Sequence, residues 1–264
     1  MDGHRRGAVV LLAAAASLAA YGCEGQVSPE AKQLWQSGLQ AYNRNDDRTA
    51  IVCMDKFLQD NARSRWAGRA FHLRGLAKYR LKDYEGAKSD LSVAADRDHE
   101  PRVAAQAAKA LGDLAYERDE LALAENSYVR ALERMARGET GSDEAMYRLG
   151  CLYQRQGRWA DADQQFDRLI YVYDGSALAR QAARRTHCTA WTIQTGAFDN
   201  LGNAQRAAGM LKTRNLPAEV RPDLRDGQGV FRVLVGRHQT YEGATAALPD
   251  VRKHAGDAYV VPTE

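Results

Sequence analysis

Four glycines, Gly38, Gly75, Gly112 and Gly150, stand 37, 37 and 38 residues apart. Each is followed twelve residues later by alanine (Ala50, Ala87, Ala124, Ala162) and seven further on by an apolar residue (Phe57, Ala94, Ala131, Leu169). Self-similarity at a period of roughly 20 to 50 residues marks an array of stacked supersecondary units. The spacing suits two antiparallel helices per unit: the glycine lets the backbone of the first helix approach the second, and the alanine is expected to face it across the contact. Four copies in phase make residues 28–188 a helical repeat region.

The flanks carry a family resemblance. Leu111-Gly112, Leu149-Gly150 and the turn Lys82-Asp83-Tyr84-Glu85 before Ala87 make the region similar to the tetratricopeptide repeat (TPR) family. The period exceeds the usual 34, the extra length falls between repeats, as at Ala95 to Pro101, and the family's closing proline is missing. Longer second helices and looser inter-repeat loops both fit these departures. Asp174-Gly175-Ser176 predicts a stop and a cap, with a covering helix from Ala177 toward His187. Trp35, Phe71, Tyr128, Tyr153, Trp159 and Phe166 read as repeat packing. Cys151 and Cys188 are expected at equivalent places on neighbouring helices, too far apart to bridge. Arg180, Arg184 and Arg185 read as solvated surface.

From residue 189 the patterning changes. Ala190–Thr195, Ala218–Pro222, Val230–Gly236 and Asp257–Val261 read as strands, and Leu201–Arg214 and Tyr241–Ala255 as helices, with a turn at Asp226-Gly227-Gln228-Gly229. The order βαββαβ predicts a small α+β unit: a four-stranded antiparallel sheet with both helices on one face. Trp191-Thr192-Ile193-Gln194-Thr195-Gly196-Ala197-Phe198, Asn203-Ala204, Phe231-Arg232-Val233-Leu234-Val235-Gly236, Glu242-Gly243-Ala244 and Ala258-Tyr259-Val260-Val261 resemble the SPOR (sporulation-related repeat) domain. That resemblance implies binding of peptidoglycan, with a preference for glycan strands stripped of their stem peptides, on the open sheet face.

Strand alternation then sorts the residues. With Ile193, Val233 and Val235 toward the helices, Thr192, Gln194, Arg232 and Leu234 are expected on the open face, where Gln194 takes the family's first-strand glutamine position. Gly196, Ala197 and Phe198 are expected to offer main-chain contacts at the groove edge. Alternation leaves the face of Tyr259 open.

The first residues address the chain. Arg5 and Arg6 precede an apolar run, Ala8 to Ala20, which as a helix rises about 20 Å, short of the ~30 Å hydrocarbon core. This reads as an export signal. Ala20-Tyr21-Gly22-Cys23 resembles a bacterial lipobox, which would make Cys23 the acylated mature N-terminus; cleavage without acylation and an uncleaved anchor are the alternatives. All three put the remaining chain outside the cytoplasm.

Composition removes other classes. With 37 Lys+Arg against 34 Asp+Glu in 264 residues, the net charge of +3 argues against nucleic acid. Four cysteines are too few for a disulfide scaffold, and neither a Cys-x-x-Cys pair, a His-Glu-x-x-His run, a nucleophile elbow nor a phosphate loop is present. No metal, cofactor or catalytic residue is expected.

The sequence thus predicts a non-enzymatic, multidomain envelope protein: signal at 1–22, an all-α TPR-like solenoid at 23–188 and a SPOR domain at 189–264. Its expected partners are peptidoglycan glycan strands, an envelope protein on the concave TPR surface, and a membrane through lipidated Cys23, in cell division or septal wall remodelling. The second reading is a TPR scaffold in which the SPOR-like unit is mainly structural.

Overall fold

The computed structural model describes residues 27–97, 100–136, 138–225 and 228–264, with only the backbone of Arg225. The export signal, Cys23, and Asp226 and Gly227 of the expected turn lie outside the described residues. The chain divides into two compact units between Glu100 and Pro101. The expected boundary at residue 188 therefore falls inside the second unit.

The first unit holds two helical hairpins, α1 (Pro29–Asn43) with α2 (Asp47–Asn61) and α3 (Ala67–Arg80) with α4 (Tyr84–Ala95). The second holds α5 (Pro101–Glu117) with α6 (Leu121–Arg134), α7 (Ser142–Arg155) with α8 (Trp159–Val172), and the short α9 (Ala177–Ala183). Every hairpin turn is three residues and contains one left-handed residue: Asn45, Lys82, Asp119 and Gly157, at φ between 61° and 74°. Such a residue reverses the chain within a few peptides, and only glycine takes that conformation freely. In the turns of α1/α2 and α3/α4, Asp46 and Asp83 then cap the second helix by accepting from the N–H of Thr49 and Gly86. The second helices span 12 to 15 residues, so the long period comes from the loops between hairpins, such as 135–141 before α7.

The glycines do permit close approach, but the side chain that fills the space is not the expected alanine. A Cβ on Gly38 would lie 2.4 Å from Met54, on Gly75 2.9 Å from Leu91, on Gly112 2.8 Å from Tyr128 and on Gly150 2.5 Å from Phe166. The partner is always sixteen residues on. The alanines at twelve sit one helical turn earlier, each fully buried. Outward on α1, Gln33, Gln36 and Gln40 are exposed. At the matching places of α3, Ala70, Leu73 and Ala77 are buried, so α1 carries the polar outer face a terminal repeat needs.

The covering helix is shorter than expected. Ser176 caps α9 by accepting from Ala179 N–H, but the helix stops at Ala183 and Cys188 lies beyond it, on no helix. Arg185, expected in solvent, donates to Gln154 Oε1 while Gln154 Nε2 donates to the Arg185 carbonyl. This satisfies a glutamine with no exposure at all.

The remaining elements are β1 (Ala190–Phe198), α10 (Leu201–Lys212), β2 (Ala218–Arg225), β3 (Gln228–His238), α11 (Tyr241–Arg252) and β4 (Tyr259–Thr263). The sheet is antiparallel in the order β2-β3-β1-β4. Ile193, Val233, Val235 and Ala218 pack on Ala204, Ala208 and Leu211 of α10 and Val251 of α11. The expected α+β unit is thus present, with its helices on one face.

The sheet unit is seated on the last hairpin. Trp191, 2% exposed, packs at a tilt on Trp159 at the start of α8 (centroids 5.7 Å apart) and edge-on against Tyr241 of α11 (4.9 Å). The Arg155 guanidinium of α7 lies 4.7 Å from the Tyr241 ring. Trp159, read from sequence as repeat packing, serves this junction instead.

Candidate functional site

Cross-strand pairing defines the face away from the helices. Glu219 of β2, Leu234 of β3, Gln194 of β1 and Tyr259 of β4 stand side by side. Directly paired residues share a face, so Tyr259 belongs with Gln194, and Tyr259 is 49% exposed. A second row holds Arg221, Arg232 and Ala197.

Two irregularities in β1 shape this face. A register shift between Gln194 and Gly196 breaks simple alternation. Ala197 therefore comes outward opposite Arg232, whereas Phe198 pairs with Phe231 and packs on the core under the helices. Phe198 thus offers its ring to the core, and a Cβ on Gly196 would lie 2.9 Å from that ring. The other shift, near Trp191, faces Gly236 at φ 70°. There the Thr192 hydroxyl donates to the carbonyls of Val235 and Gly236 at 3.2 and 2.6 Å.

Thr192, Gln194, Arg232 and Leu234 lie on the face assigned to them, but three of these are not open. Thr192 is 1% exposed, Leu234 1% and Gln194 8%. Arg221 on edge strand β2 donates to Thr263 Oγ1 on the opposite edge strand β4, 2.8 Å away. Arg221 is level with Ala197 and Thr263 with Ala190, so the bond runs from corner to corner. Only a strongly twisted sheet brings those corners within one side chain. Thr192 spends its hydroxyl on the backbone, which removes it as a ligand contact.

Gln194 is different. Its side-chain amide makes no hydrogen bond among the described residues, though the residue is buried and flanked by Tyr259 and Leu234. A ligand's hydroxyl or carbonyl can pair with such an amide. Charge is balanced on the same face. Arg221 Nε meets Glu219 at 2.8 Å and Arg232 Nε meets Asp223 at 3.0 Å. Burial pushes the Cys188 thiol, beside the same sheet, up to about 11, against the opposite pull of Arg185 and Arg232. That thiol stays protonated at neutral pH. Among the described residues no group of side chains is arranged to hold a metal ion, and no helix is long and apolar enough to cross a membrane.

Comparison with known families follows this architecture. The SPOR domain model matches residues 189–262 and a tetratricopeptide repeat model matches residues 144–176, the α7/α8 hairpin. No curated protein matches the chain. A tetratricopeptide repeat protein from Parabacteroides merdae ATCC 43184 is 18% identical and superposes with a TM-score of 0.52 over 60% of this chain and 59% of its own length. The chain therefore spans less than two thirds of that protein. The MamA protein is 19% identical over 59% of this chain and 87% of its own, with a TM-score of 0.46. YrrB, described as a TPR protein with an unusual peptide-binding site, is 18% identical over 58% and 74%, with a TM-score of 0.47. At 18% identity the likeness to the Parabacteroides merdae protein is one of fold alone.

Proposed function

We propose that this chain, which carries a SPOR domain at residues 189–262 and a tetratricopeptide repeat at 144–176, is a non-catalytic cell-envelope protein that binds peptidoglycan glycan strands on its sheet face and a protein partner on its helical repeats. The observation that carries the reading is Gln194, whose side chain makes no hydrogen bond among the described residues and which is paired across the sheet with the exposed Tyr259. A sugar strand offers what this pair lacks: hydroxyls and acetamido carbonyls for the amide, and ring faces for the aromatic. Gly196 and Ala197 supply backbone at the edge. Strands stripped of stem peptides are the proposed form, since a branch at every second sugar would collide with a curled sheet.

Export and acylation at Cys23 would hold the other end at a membrane. Two tethered contacts raise the effective concentration of each, so a weak glycan contact suffices for localisation. The proposed setting is division or septal wall remodelling. Its test is a fluorescent fusion in dividing cells with and without residues 189–264. Septal enrichment that needs those residues supports the proposal. Enrichment that persists without them, but is lost when the repeats are removed, favours the scaffold reading.

A further inference from the structure

Arg221 and Arg232 are directly paired across β2 and β3, and like charges so placed are destabilising. Each has one acidic neighbour, and in both cases it meets the Nε edge: Glu219 for Arg221 and Asp223 for Arg232. Arg221 Nη1 is taken by Thr263. Among the described residues that leaves Arg221 Nη2 and both Nη groups of Arg232 without a partner. The two side chains are 35% and 29% exposed, so the guanidinium groups are partly desolvated but reachable. They sit one row from Gln194 and Tyr259, on the face assigned above to the glycan. Partly buried guanidinium groups bind a carboxylate through paired, charge-assisted hydrogen bonds, more tightly than any neutral group of similar shape.

The proposed ligand contains one such carboxylate. In intact peptidoglycan the lactyl group of each N-acetylmuramic acid is joined to the stem peptide as a neutral amide. Hydrolysis of that amide leaves a free carboxylate, ionised at neutral pH. We infer that Arg221 and Arg232 form an anion subsite for the lactyl carboxylate of N-acetylmuramic acid. The inference rests on the peptidoglycan reading and adds a cause for preferring stripped strands: removing the peptide creates the charge that the paired arginines recognise, besides clearing the steric block. Glu219 and Asp223 hold the cations in place when the subsite is empty, and the face carries no large net field that would gather anions at random.

The test uses the chain from Val27 onward and two preparations of purified, peptide-free glycan strands. One keeps its lactyl carboxylates and the other has them converted to methylamides, which preserves size and removes charge. The expected result is about tenfold weaker binding of the methylamide strands, with Arg232→Gln and Arg221→Gln each binding both preparations alike, at the weaker level. Equal binding of the two preparations by the unaltered protein would overturn the subsite and leave the peptidoglycan reading standing. Binding of neither would overturn both. The ligand comparison on the unaltered protein does not depend on how well the variants fold, and their thermal melts identify a variant lost to misfolding.

Discussion

Arg221 and Thr263, on opposite edge strands of a four-stranded sheet, are joined by a 2.8 Å hydrogen bond that passes diagonally over the face away from the helices. This contact ties β4, five residues long, to the far edge. Thr263→Val keeps the shape and removes the acceptor, so it should cost about 1 kcal/mol. Amide exchange of β4 should speed up by more than that of β3. Unchanged exchange in β4 would mean that the corners are not tied in solution.

The glycines that face aromatic rings, Gly112 and Gly150, should tolerate nothing larger. Gly150→Ala drives a Cβ into the Phe166 ring and should destabilise by about 1–3 kcal/mol. Gly209, exposed on α10 with nothing within 4 Å of a built Cβ, should behave oppositely: Gly209→Ala should stabilise by about 0.5–1 kcal/mol through helix propensity. Urea melts of the two variants check the opposite signs.

Lys82 occupies a left-handed turn at φ 64° where the fourth hairpin has Gly157 at 74°. Lys82→Gly removes a steric cost of about 1 kcal/mol and should raise the denaturation midpoint. A lowered midpoint would show that the lysine side chain contributes more than its backbone costs.

The Trp159–Trp191–Tyr241 contact makes the sheet unit depend on the hairpin before it. Trp191→Ala should cost about 3–5 kcal/mol, and limited proteolysis should then cut near residues 184–189 faster than in the parent. A variant that melts like the parent would mean that the two parts are joined by a linker alone.

His72 is held near 4 by burial, which disfavours its charged form. The unfolded chain takes up a proton near 6.5 and the folded chain does not until about 4, so stability is full above pH 6.5 and falls as pH drops between those values. The loss approaches about 3 kcal/mol. His72→Gln should flatten this decline relative to the parent, as measured by denaturant titration at a series of pH values; parallel curves would contradict it.

The repeat phase and the strand order were both legible because they are periodic, and periodicity survives wherever the core imposes it. The residue over each glycine was harder to see. Met54, Leu91, Tyr128 and Phe166 do recur sixteen positions on, but their chemical variety hides the pattern that constant alanines display. On the sheet, alternation placed Gln194, Arg232 and Leu234 on the right face and gave no measure of their exposure, because twist is a property of the whole sheet. The register shift in β1 sent Phe198 inward, which no local pattern announced. Tyr259 needed its partner strand before it could be assigned, and the Trp159–Trp191 junction joins residues that no repeat relates.

Glycan recognition by the sheet face is most directly tested by sedimenting the chain from Val27 onward with purified, peptide-stripped sacculi, alongside Gln194→Ala and Tyr259→Ala variants whose melts match the parent. The parent should pellet with the sacculi and both variants should stay largely in solution. A parent that remains in solution, or variants that pellet as well as the parent, would contradict the assignment.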